Sequence, residues 1–471
     1  MRRLGIFFII MIMIFQITAC DSKQKTEEIK DAASNGAALQ EENIYKQDYM
    51  EACNLISKKY IYLESKLNKS REEFLKECKD YSDTVVWKND KAQFIEEIRK
   101  LRSKFADGHF DWKLDRENWI NEQGKYLGFT LTIRGDNKVY VGKVYPYFTD
   151  KISVGDEVVK WNGEDTKKEL DRVAGIFPQS TKHASYELAA RQLTIEYPNK
   201  PLRDELKPVT VTFRNGRDGI ESEAEFNWKN CSATGQWDKF SEASDSNMIL
   251  LTCGMIPSLE DIPSDAAYVH PYLPFYSIKT PAGKCAILHP RCFSEWTVDD
   301  LDKTFEQILK NSPDALLIDL KDSSGGFFDQ VLYLSHALNI DNSFSFSYDM
   351  IDPKTDKRIA GIDNFDNISD NIKLNNIWKG KVIFRINSVT VSAGDFFSRW
   401  MQLHDRGLII GRPSAGAGGG TDNFILHNTK TVISIPMRDR KIEKDDKFIE
   451  GNSVMPDKIY DGELTDFLNE S

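Results

Sequence analysis

A serine in a turn between an apolar strand and an apolar helix is the residue of this chain best placed to act as a nucleophile. The apolar run 382–384 leads to the turn 392–395, and the bulky apolar residues after it recur at helical spacing. Ser392 is therefore predicted to precede a helix N-terminus, where unpaired backbone N–H groups favour the negative charge of an acyl-transfer oxyanion. Serine is also a favoured helix N-cap, so the segment alone also fits a serine that only accepts a backbone hydrogen bond.

A glycine-rich loop follows this helix. The apolar run 408–410 opens into the segment Gly411 to Gly420. Dense glycine is typical of a phosphate cradle, but the loop lacks the Gly-Lys-Ser/Thr sequence of a P-loop. The same loop would instead let the backbone of a bound chain pass close to the serine.

Three other segments contain residues that acyl transfer needs. Gly325 and Gly326 follow a buried-type strand, and their backbone N–H groups can approach a reacting carbonyl oxygen closely. His109 lies on a turn after Gly108, where an imidazole can act as a base. Glu450 supplies an acid in a turn-rich segment near the C-terminus. Taken singly, each also fits a plain turn or a solvated side chain, so it is their joint presence with Ser392 that indicates catalysis.

The composition narrows the class of protein and of ligand. A length of 471 residues predicts about two to four domains. The net charge of −11 argues against nucleic acid as a partner. Neither a Cys-x-x-Cys pair nor a His-Glu-x-x-His motif occurs, so neither a zinc site nor a thioredoxin-like redox site is indicated. We expect no metal and no cofactor.

The N-terminus predicts export. Arg2 and Arg3 precede an apolar stretch, residues 4–17, that is short for a membrane span and typical of a secretory signal peptide. The stretch ends in Ile17-Thr18-Ala19-Cys20, which resembles the lipobox of bacterial lipoproteins, although a plain cleavage site is an alternative. The resemblance implies a signal peptide over 1–19, lipid on Cys20 and an extracytoplasmic protein anchored to a membrane of the bacterial cell envelope. Residues 20–43 are too polar to fold and are predicted to be a disordered tether.

The rest of the chain is predicted to be a multi-domain α+β protein. Apolar residues spaced three and four apart indicate an N-terminal helical module, and alternating patterns indicate a β module after it. Alternating strands and helices then indicate an α/β core. The predicted boundaries are 44–119 for the helical module, 125–228 for the β module, 229–275 for a linker or lid, 276–460 for the core and 461–471 for a C-terminal tail.

The β module resembles a PDZ domain. Tyr126, Leu127, Gly128 and Phe129 are similar to the Gly-Leu-Gly-Phe carboxylate loop of that family, although a helical insertion over about 167–193 departs from a minimal PDZ domain. The resemblance implies that these four residues receive the carboxylate of an extended peptide, which would be added to the sheet as a strand. A purely architectural β module is the alternative.

The order of motifs over about residues 44–460 resembles that of the C-terminal-processing and tricorn-core family of serine peptidases. The segment 107–109 is similar to the family's Asp-Gly-His-Thr, and 319–326 to its Asp-Leu-Arg-x-Asn-x-Gly-Gly loop. The segment 392–395 is similar to its Ser-Ala-x-Glu turn, and 450–457 to its Glu-Gly-x-Gly-Val-x-Pro-Asp segment. The resemblance implies an α/β core of the ClpP/crotonase type.

One departure separates two branches of that family. The C-terminal-processing branch has a lysine base in its Gly-x-Gly-Lys-Gly loop, and Ala417 stands at that place here. The tricorn-like branch uses a histidine and a glutamate instead. The resemblance therefore implies Ser392 as nucleophile, His109 as general base and then acid, and Glu450 as the group that orients the imidazole. It also implies oxyanion donors from the N–H of Ala393 and from Gly325 or Gly326.

These predictions describe a serine endopeptidase or processing peptidase that acts on peptides or unfolded protein segments. The alternative is a catalytically inactive, peptide-binding lipoprotein of the same fold. Two departures from the family motifs favour that alternative, Asp111-Trp112 after the histidine and Asp322-Ser323-Ser324 in the glycine loop.

Overall fold

The computed structural model describes residues 43–470 apart from 115–123, 145–150, 197–201, 204, 232–247, 252–253, 258–265, 341–344, 365–371, 443–444 and 446. The predicted signal peptide, Cys20 and nearly all of the predicted tether lie outside the described residues, as does Cys253. The described residues belong to one compact unit. No helix within them is both long enough and apolar enough to cross a membrane.

Four helices form the N-terminal module. The third helix begins at a capping box, because Ser70 and Glu73 each accept the other's backbone N–H. Aromatic rings from these helices pack into one core that includes Tyr49, Phe74 and Phe94. A short strand after the fourth helix continues into the rest of the protein. The elements are α1 (Ile44–Lys59), α2 (Leu63–Leu67), α3 (Arg71–Thr84), α4 (Lys91–Arg102) and β1 (Asp111–Lys113).

The β module is a six-stranded antiparallel sheet with the order β3-β4-β5-β8-β9, to which β6 is added on β5. Its strands are β3 (Phe129–Ile133), β4 (Val139–Val144), β5 (Glu157–Trp161), β6 (Glu164–Asp165), β8 (Val209–Arg214) and β9 (Glu221–Phe226). Two helices, α5 (Thr166–Ile176) and α6 (Lys182–Leu193), form the predicted insertion. Helix α6 packs against both α5 and β3, so it covers the sheet beside its edge strand.

The C-terminal core is a seven-stranded sheet with the order β13-β14-β15-β16-β19-β20-β23. Strands β15, β16, β19, β20 and β23 are parallel to one another. Leu316, Leu317 and Ile318 of β16 are fully buried, as expected for a parallel sheet covered on both faces. The strands are β13 (Ala267–Tyr268), β14 (Pro274–Thr280), β15 (Gly283–Leu288), β16 (Ala315–Asp319), β19 (Lys381–Ile386), β20 (Leu408–Gly411) and β23 (Lys458–Ile459).

Four helices accompany this sheet: α7 (Val298–Lys310), α8 (Phe328–Ala337), α9 (Ala393–Leu403) and α10 (Leu464–Glu470). Helix α10 lies in the segment predicted as a C-terminal tail, and Leu464, Phe467 and Leu468 bury its inner face against the core. The carboxyl ends of β16 and β19 lie side by side, because parallel pairing aligns Asp319 with Arg385. The loops after these two strands therefore meet at one edge of the sheet.

A second sheet joins the N-terminal helices to the core. It has the order β1-β22-β17-β18, with β21 also paired to β22. Its strands besides β1 are β17 (Ser345–Ile351), β18 (Arg358–Asn364), β21 (Gly420–Ile425) and β22 (Val432–Ile442). The long strand β22 pairs antiparallel with β1, which places the segment just after His109 on the core.

Shorter strands occupy the segments between the modules. Strands β10 (Lys229–Cys231), β2 (Gly124–Tyr126) and β7 (Ile195–Glu196) form a three-stranded sheet, and β11 (Met248–Leu251) pairs with β12 (Gly254–Pro257). Strands β10 to β13 fall in the predicted linker or lid. The helices and sheets together confirm the predicted multi-domain α+β class, while the predicted domain boundaries stay predictions.

Candidate active site

Ser392 occupies a strained position at the start of α9. Its backbone has φ 56° and ψ −120°, a left-handed φ that is uncommon for a residue other than glycine. Its side chain makes no capping hydrogen bond, so this serine is not acting as an ordinary N-cap. Its N–H donates to the carbonyl oxygen of Ala417 at 3.1 Å. Strain that the surrounding structure holds in place is typical of functional residues.

Ser392, His109, Gly325 and Gly326 line one cavity of about 390 Å³. Apolar side chains from one helix and three loops complete much of the lining, and they are Ala184, Leu188, Phe327, Val389, Val391, Ala415 and Ala417. The cavity thus brings together residues that are 283 positions apart in the sequence (392 − 109).

Gly325 and Gly326, in the loop predicted to bind the oxyanion, have little room for a side chain. A Cβ on Gly325 would come within 2.6 Å of the Ser392 Cβ, and its φ of 78° favours glycine. Gly326 has φ 144° and presses against the backbone of Phe293. Ala393 is the first residue of α9, so its N–H lies at the helix N-terminus beside the serine. The structure therefore places Gly325 and Ala393 next to Ser392, and Gly326 in the lining of the same cavity.

A buried ionic cluster fixes the loop that precedes these glycines. Asp322 has φ 64° and is fully buried, and its carboxylate accepts hydrogen bonds from Arg191 at 2.6 Å and from Asn387 at 2.7 Å. Arg191, on helix α6, also binds Glu187 at 2.9 Å. The nearby Arg191 charge holds the pKa of Asp322 below its usual range against the effect of burial. The β module thereby anchors the glycine loop of the core.

The departures that suggested an inactive relative have structural explanations. Asp322 supplies the carboxylate of this cluster. Trp112 is 1% exposed and packs in the aromatic core of the N-terminal module. Asp111 belongs to β1 and pairs with Ser434 of β22. None of these roles removes a group that acyl transfer needs.

Asp395 connects the glycine-rich loop to the serine turn through hydrogen bonds. Its buried carboxylate accepts the N–H groups of Gly416 at 2.9 Å and Ala417 at 3.1 Å. Burial raises the pKa of Asp395 to about 7, and these hydrogen bonds oppose the rise. Ala417 is buried and lines the cavity, so a methyl group stands where the C-terminal-processing branch would have its lysine.

His109 lies beside two carboxyl groups. One ring nitrogen of His109 and one carboxylate oxygen each from Asp107 and Glu450 lie within 4.8 Å of one another. The Nδ1 atom is buried and has no hydrogen-bond partner among the described residues. The Asp107 carboxylate accepts hydrogen bonds from the backbone N–H of His109 at 2.8 Å and from the hydroxyl of Tyr60 at 2.8 Å. A small ring rotation or one bridging water would therefore connect Nδ1 to a carboxylate.

Glu450 is held by groups from three parts of the chain. Its side chain is 3% exposed, accepts the Gly418 N–H at 3.0 Å, and forms an ion pair with Lys66. Burial and the neighbouring Asp107 raise the pKa of Glu450 to about 8, whereas Lys66 and the Ser180 hydroxyl oppose that rise. Glu450, the predicted third residue of the triad, is therefore next to His109, and Lys66 and Asp107 lie beside it.

Sequence analysis did not find two members of this cluster. Asp107 was visible as the first residue of the Asp-Gly-His motif, but nothing in the motif gave it a role. Lys66 carries no local signal, because it is one lysine among many in a helical module. With a histidine and two carboxylates so close, the trio has the ligand types for a divalent cation. Lys66, 3.6 Å from Asp107 and paired with Glu450, already supplies a positive charge there.

The predicted carboxylate loop of the β module contributes mainly to its own core. Tyr126, Leu127 and Phe129 are all buried in that core, and Gly128 has φ 95°. The Leu127 N–H donates to the Thr194 carbonyl oxygen at 3.0 Å and is not available to a ligand. Whether the other backbone groups of this loop bind a peptide carboxylate stays a prediction.

Comparisons with known proteins agree with this arrangement. Residues 284–460 match peptidase family S41, and these residues include the serine turn, the glycine loop and Glu450. The core of this chain is therefore similar to peptidase family S41. Residues 123–243 match a PDZ domain, so the protein is a serine peptidase with a PDZ module. No curated protein matches the sequence.

Solved structures support the fold of the peptidase. The structure of mature CPAF has a TM-score of 0.67 and 16% sequence identity, with 88% of this chain and 92% of that chain covered. Mature CPAF complexed with lactacystin has a TM-score of 0.65 and 16% identity, with 88% and 93% covered. At this identity the likeness concerns the fold alone.

The pH dependence of the peptidase should follow His109. Burial lowers the pKa of His109 below its ordinary value, although Asp107 opposes this effect. Because the base must be neutral, kcat/KM should fall as pH drops through that lowered pKa, with a midpoint below about 6.5. A pH–rate profile between pH 4 and 10 on any cleaved peptide measures it. A midpoint well above pH 8 would instead indicate an amine base.

Proposed function

We propose that the protein hydrolyses peptide bonds through an acyl-enzyme on Ser392, as an endopeptidase or processing peptidase. The observation that supports it is the shared cavity of Ser392, His109, Gly325 and Gly326. The serine hydroxyl attacks the peptide carbonyl while His109 takes its proton. His109 then protonates the leaving amine, and a water molecule activated by the same ring releases the acyl group.

The backbone donors beside the serine stabilise the charge that develops on the carbonyl oxygen. The N–H of Ala393 and that of Gly325 or Gly326 are the donors we propose, because Gly325 is packed against Ser392 and Ala393 begins α9. Asp107 and Glu450 lie beside His109, and the negative charge of Asp107, joined by that of Glu450 once it ionises, stabilises the imidazolium that forms during the attack. The role we propose for Glu450 is the one predicted from the sequence, shared with Asp107.

The PDZ module takes part in substrate recognition through helix α6. Ala184 and Leu188 of this helix form part of the cavity wall. At the far end of β3, the backbone of Ile133 is already occupied, since its N–H donates to Glu187 at 2.9 Å and its carbonyl accepts a hydrogen bond from Arg412. A peptide added as a strand could therefore extend only along the N-terminal part of β3. The substrate class we propose is a peptide or an unfolded protein segment.

An apolar side chain is the expected substrate group beside Leu188. Replacing Leu188 with lysine should lower kcat/KM by about 10- to 100-fold for peptides with an apolar residue at the preferred position, because the burial of that residue is lost. Leu188→Met should leave the preference nearly unchanged. A library of internally quenched peptides measures both. Equal loss for apolar and polar peptides would show that Leu188 does not select the substrate.

The decisive experiment compares the peptides released by wild type and by Ser392→Ala from a mixture of unfolded proteins. Products that appear only with wild type, identified by mass spectrometry, would establish hydrolysis and its preference together. A fluorophosphonate probe adds a direct test, because it labels a serine only when that serine is activated. Absence of both products and labelling in a folded wild-type protein would refute the proposed chemistry.

We also propose that the peptidase is a lipoprotein outside the cytoplasm, anchored through Cys20. The support comes from sequence alone, namely the charged start, the short apolar stretch and the lipobox-like residues 17–20. Metabolic labelling with a fatty-acid analogue should mark wild type and not Cys20→Ala. Equal labelling of both would contradict the anchor at this residue.

A further inference from the structure

We propose that Lys66 is a positioning residue of the active site, whose ammonium group bridges Glu450 and Asp107 and so sets the protonation of the cluster that serves Ser392. This inference rests on the proposed function and deepens it. Lys66 belongs to α2 of the N-terminal module, outside the part of the chain that matches the peptidase family. The catalytic core would therefore depend on a charge supplied by the helical module.

Contacts on several sides hold the Lys66 side chain. Its Nζ forms an ion pair with Glu450, lies 3.6 Å from Asp107 Oδ2, and donates to the carbonyl oxygen of Ala106. The ammonium lies over the ring of Tyr62, 5.2 Å from its centroid. Only 17% of the side chain is exposed, so solvent screens these interactions weakly. The contacts identify Lys66 as a fixed counter-ion rather than a mobile surface lysine.

The groups that face this ammonium come from several segments. Asp107 and His109 belong to the loop after α4, and Glu450 to the segment before β23. The hydroxyl of Tyr60 donates to Asp107, and that of Tyr62 donates to Asp439.

Arg102 of α4 is a second cation near this cluster, but its guanidinium is used elsewhere. It donates to the backbone carbonyls of Phe105, Asp107 and Pro178.

The charges within this group show why Lys66 matters. Among the described residues, the ion pairs of Asp107 and Glu450 are both made with Lys66. Two buried carboxylates side by side repel each other, and a cation between them reduces that repulsion. Without it, the cluster would hold its protons up to a higher pH. The cation therefore helps to set the pH at which Glu450 and His109 lose their protons.

The proton could go to either of two places, and both impair the reaction. If it goes to Glu450, the imidazolium formed during the attack loses a stabilising negative charge. If it goes to His109, the ring can no longer accept the serine proton. The charges around the site agree, since Lys66 lowers the pKa of Glu450 and contributes to lowering that of His109. Removing Lys66 should therefore shift activity to higher pH.

Lys66 does not replace the base that Ala417 lacks. The cavity that contains Ser392 is lined by His109, and Lys66 is not one of its lining residues. Its contacts are with carboxylates and a backbone carbonyl. It is therefore a positioning residue that acts through Glu450 and His109.

The test measures the rate at which a fluorophosphonate labels Ser392 between pH 5 and 10, using the full chain. For Lys66→Met we expect the acid midpoint to move upward by about one pH unit, with labelling at pH 7 reduced by up to about 3-fold, labelling at pH 5 reduced by about 10-fold, and full recovery at alkaline pH. Lys66→Arg should keep a midpoint close to wild type. Lys69→Met is the matched control, because Lys69 is 41% exposed and pairs with Glu77 away from the site.

The pH midpoint separates this role from a structural one. A folding defect lowers the amount of labelled protein at every pH but leaves the midpoint in place, and Lys66→Gln gives a second neutral variant. An unchanged midpoint in both neutral variants would overturn the inference while leaving Ser392 as the nucleophile. Wild type that is not labelled at Ser392 would instead overturn the proposed function, and the inference with it.

Discussion

Replacing Ser392 or His109 with alanine is expected to abolish peptide hydrolysis, and replacing both should do no further harm. Each single change should lower kcat by about 10⁶-fold, since groups that act as one unit fail together. The shared cavity is the structural reason, because the hydroxyl has no other predicted base within it. Steady-state kinetics on the best cleaved peptide, with both single variants and the double variant, measures the effect.

The matched control for the histidine is His427→Ala, since His427 is an exposed loop residue that is not part of the cavity lining. It should retain wild-type kinetics. Multiplicative losses in the double variant would mean that Ser392 and His109 act independently. In that case the serine would have a different base, and the assignment of His109 would be wrong.

Replacing Arg191 with methionine should produce the largest loss of stability among the changes considered. Arg191 is 2% exposed and binds both Glu187 and Asp322, so the change removes the cation that these two buried carboxylates share. Arg412, 4.0 Å from Glu187, lies too far to replace it fully. Breaking a buried ion pair from one side typically costs about 3–5 kcal/mol in the free energy of unfolding. Urea unfolding followed by fluorescence measures the difference.

A surface arginine on the neighbouring helix gives the control for this prediction. Arg172 is 42% exposed and pairs with Glu169 on the same helix, so Arg172→Met should cost less than about 1 kcal/mol. A similarly small loss for Arg191→Met would mean that the buried cluster contributes little to stability. The glycine loop would then be held by the backbone alone.

The sequence predicted well those features that local pattern controls. The turn at Ser392 follows from an apolar strand, a break and helical spacing, and the structure has the same succession. The glycine loop after β16 and the PDZ pieces were visible for the same reason. Family resemblance then indicated which of these local features belong together.

Contacts between distant segments were beyond such reasoning. Lys66 and Glu450 are separated by 384 positions, and no periodicity links a lysine on a five-residue helix to a glutamate near the C-terminus. Arg191 and Asp322 are 131 positions apart. The Leu127 N–H was predicted to be part of a ligand loop, but Thr194 takes it through tertiary packing. Each case depends on which side chains the fold brings together.

The pairing of β1 with β22 has a consequence for when this enzyme becomes active. His109 precedes a strand that finds its partner about 320 residues later, and Glu450 follows that partner. A ribosome must therefore have added Glu450 before the cluster around His109 can assemble, and contacts of such long range form slowly. A nascent chain that stops short of Glu450 would carry Ser392 and His109 without this cluster, so we expect it to be inactive.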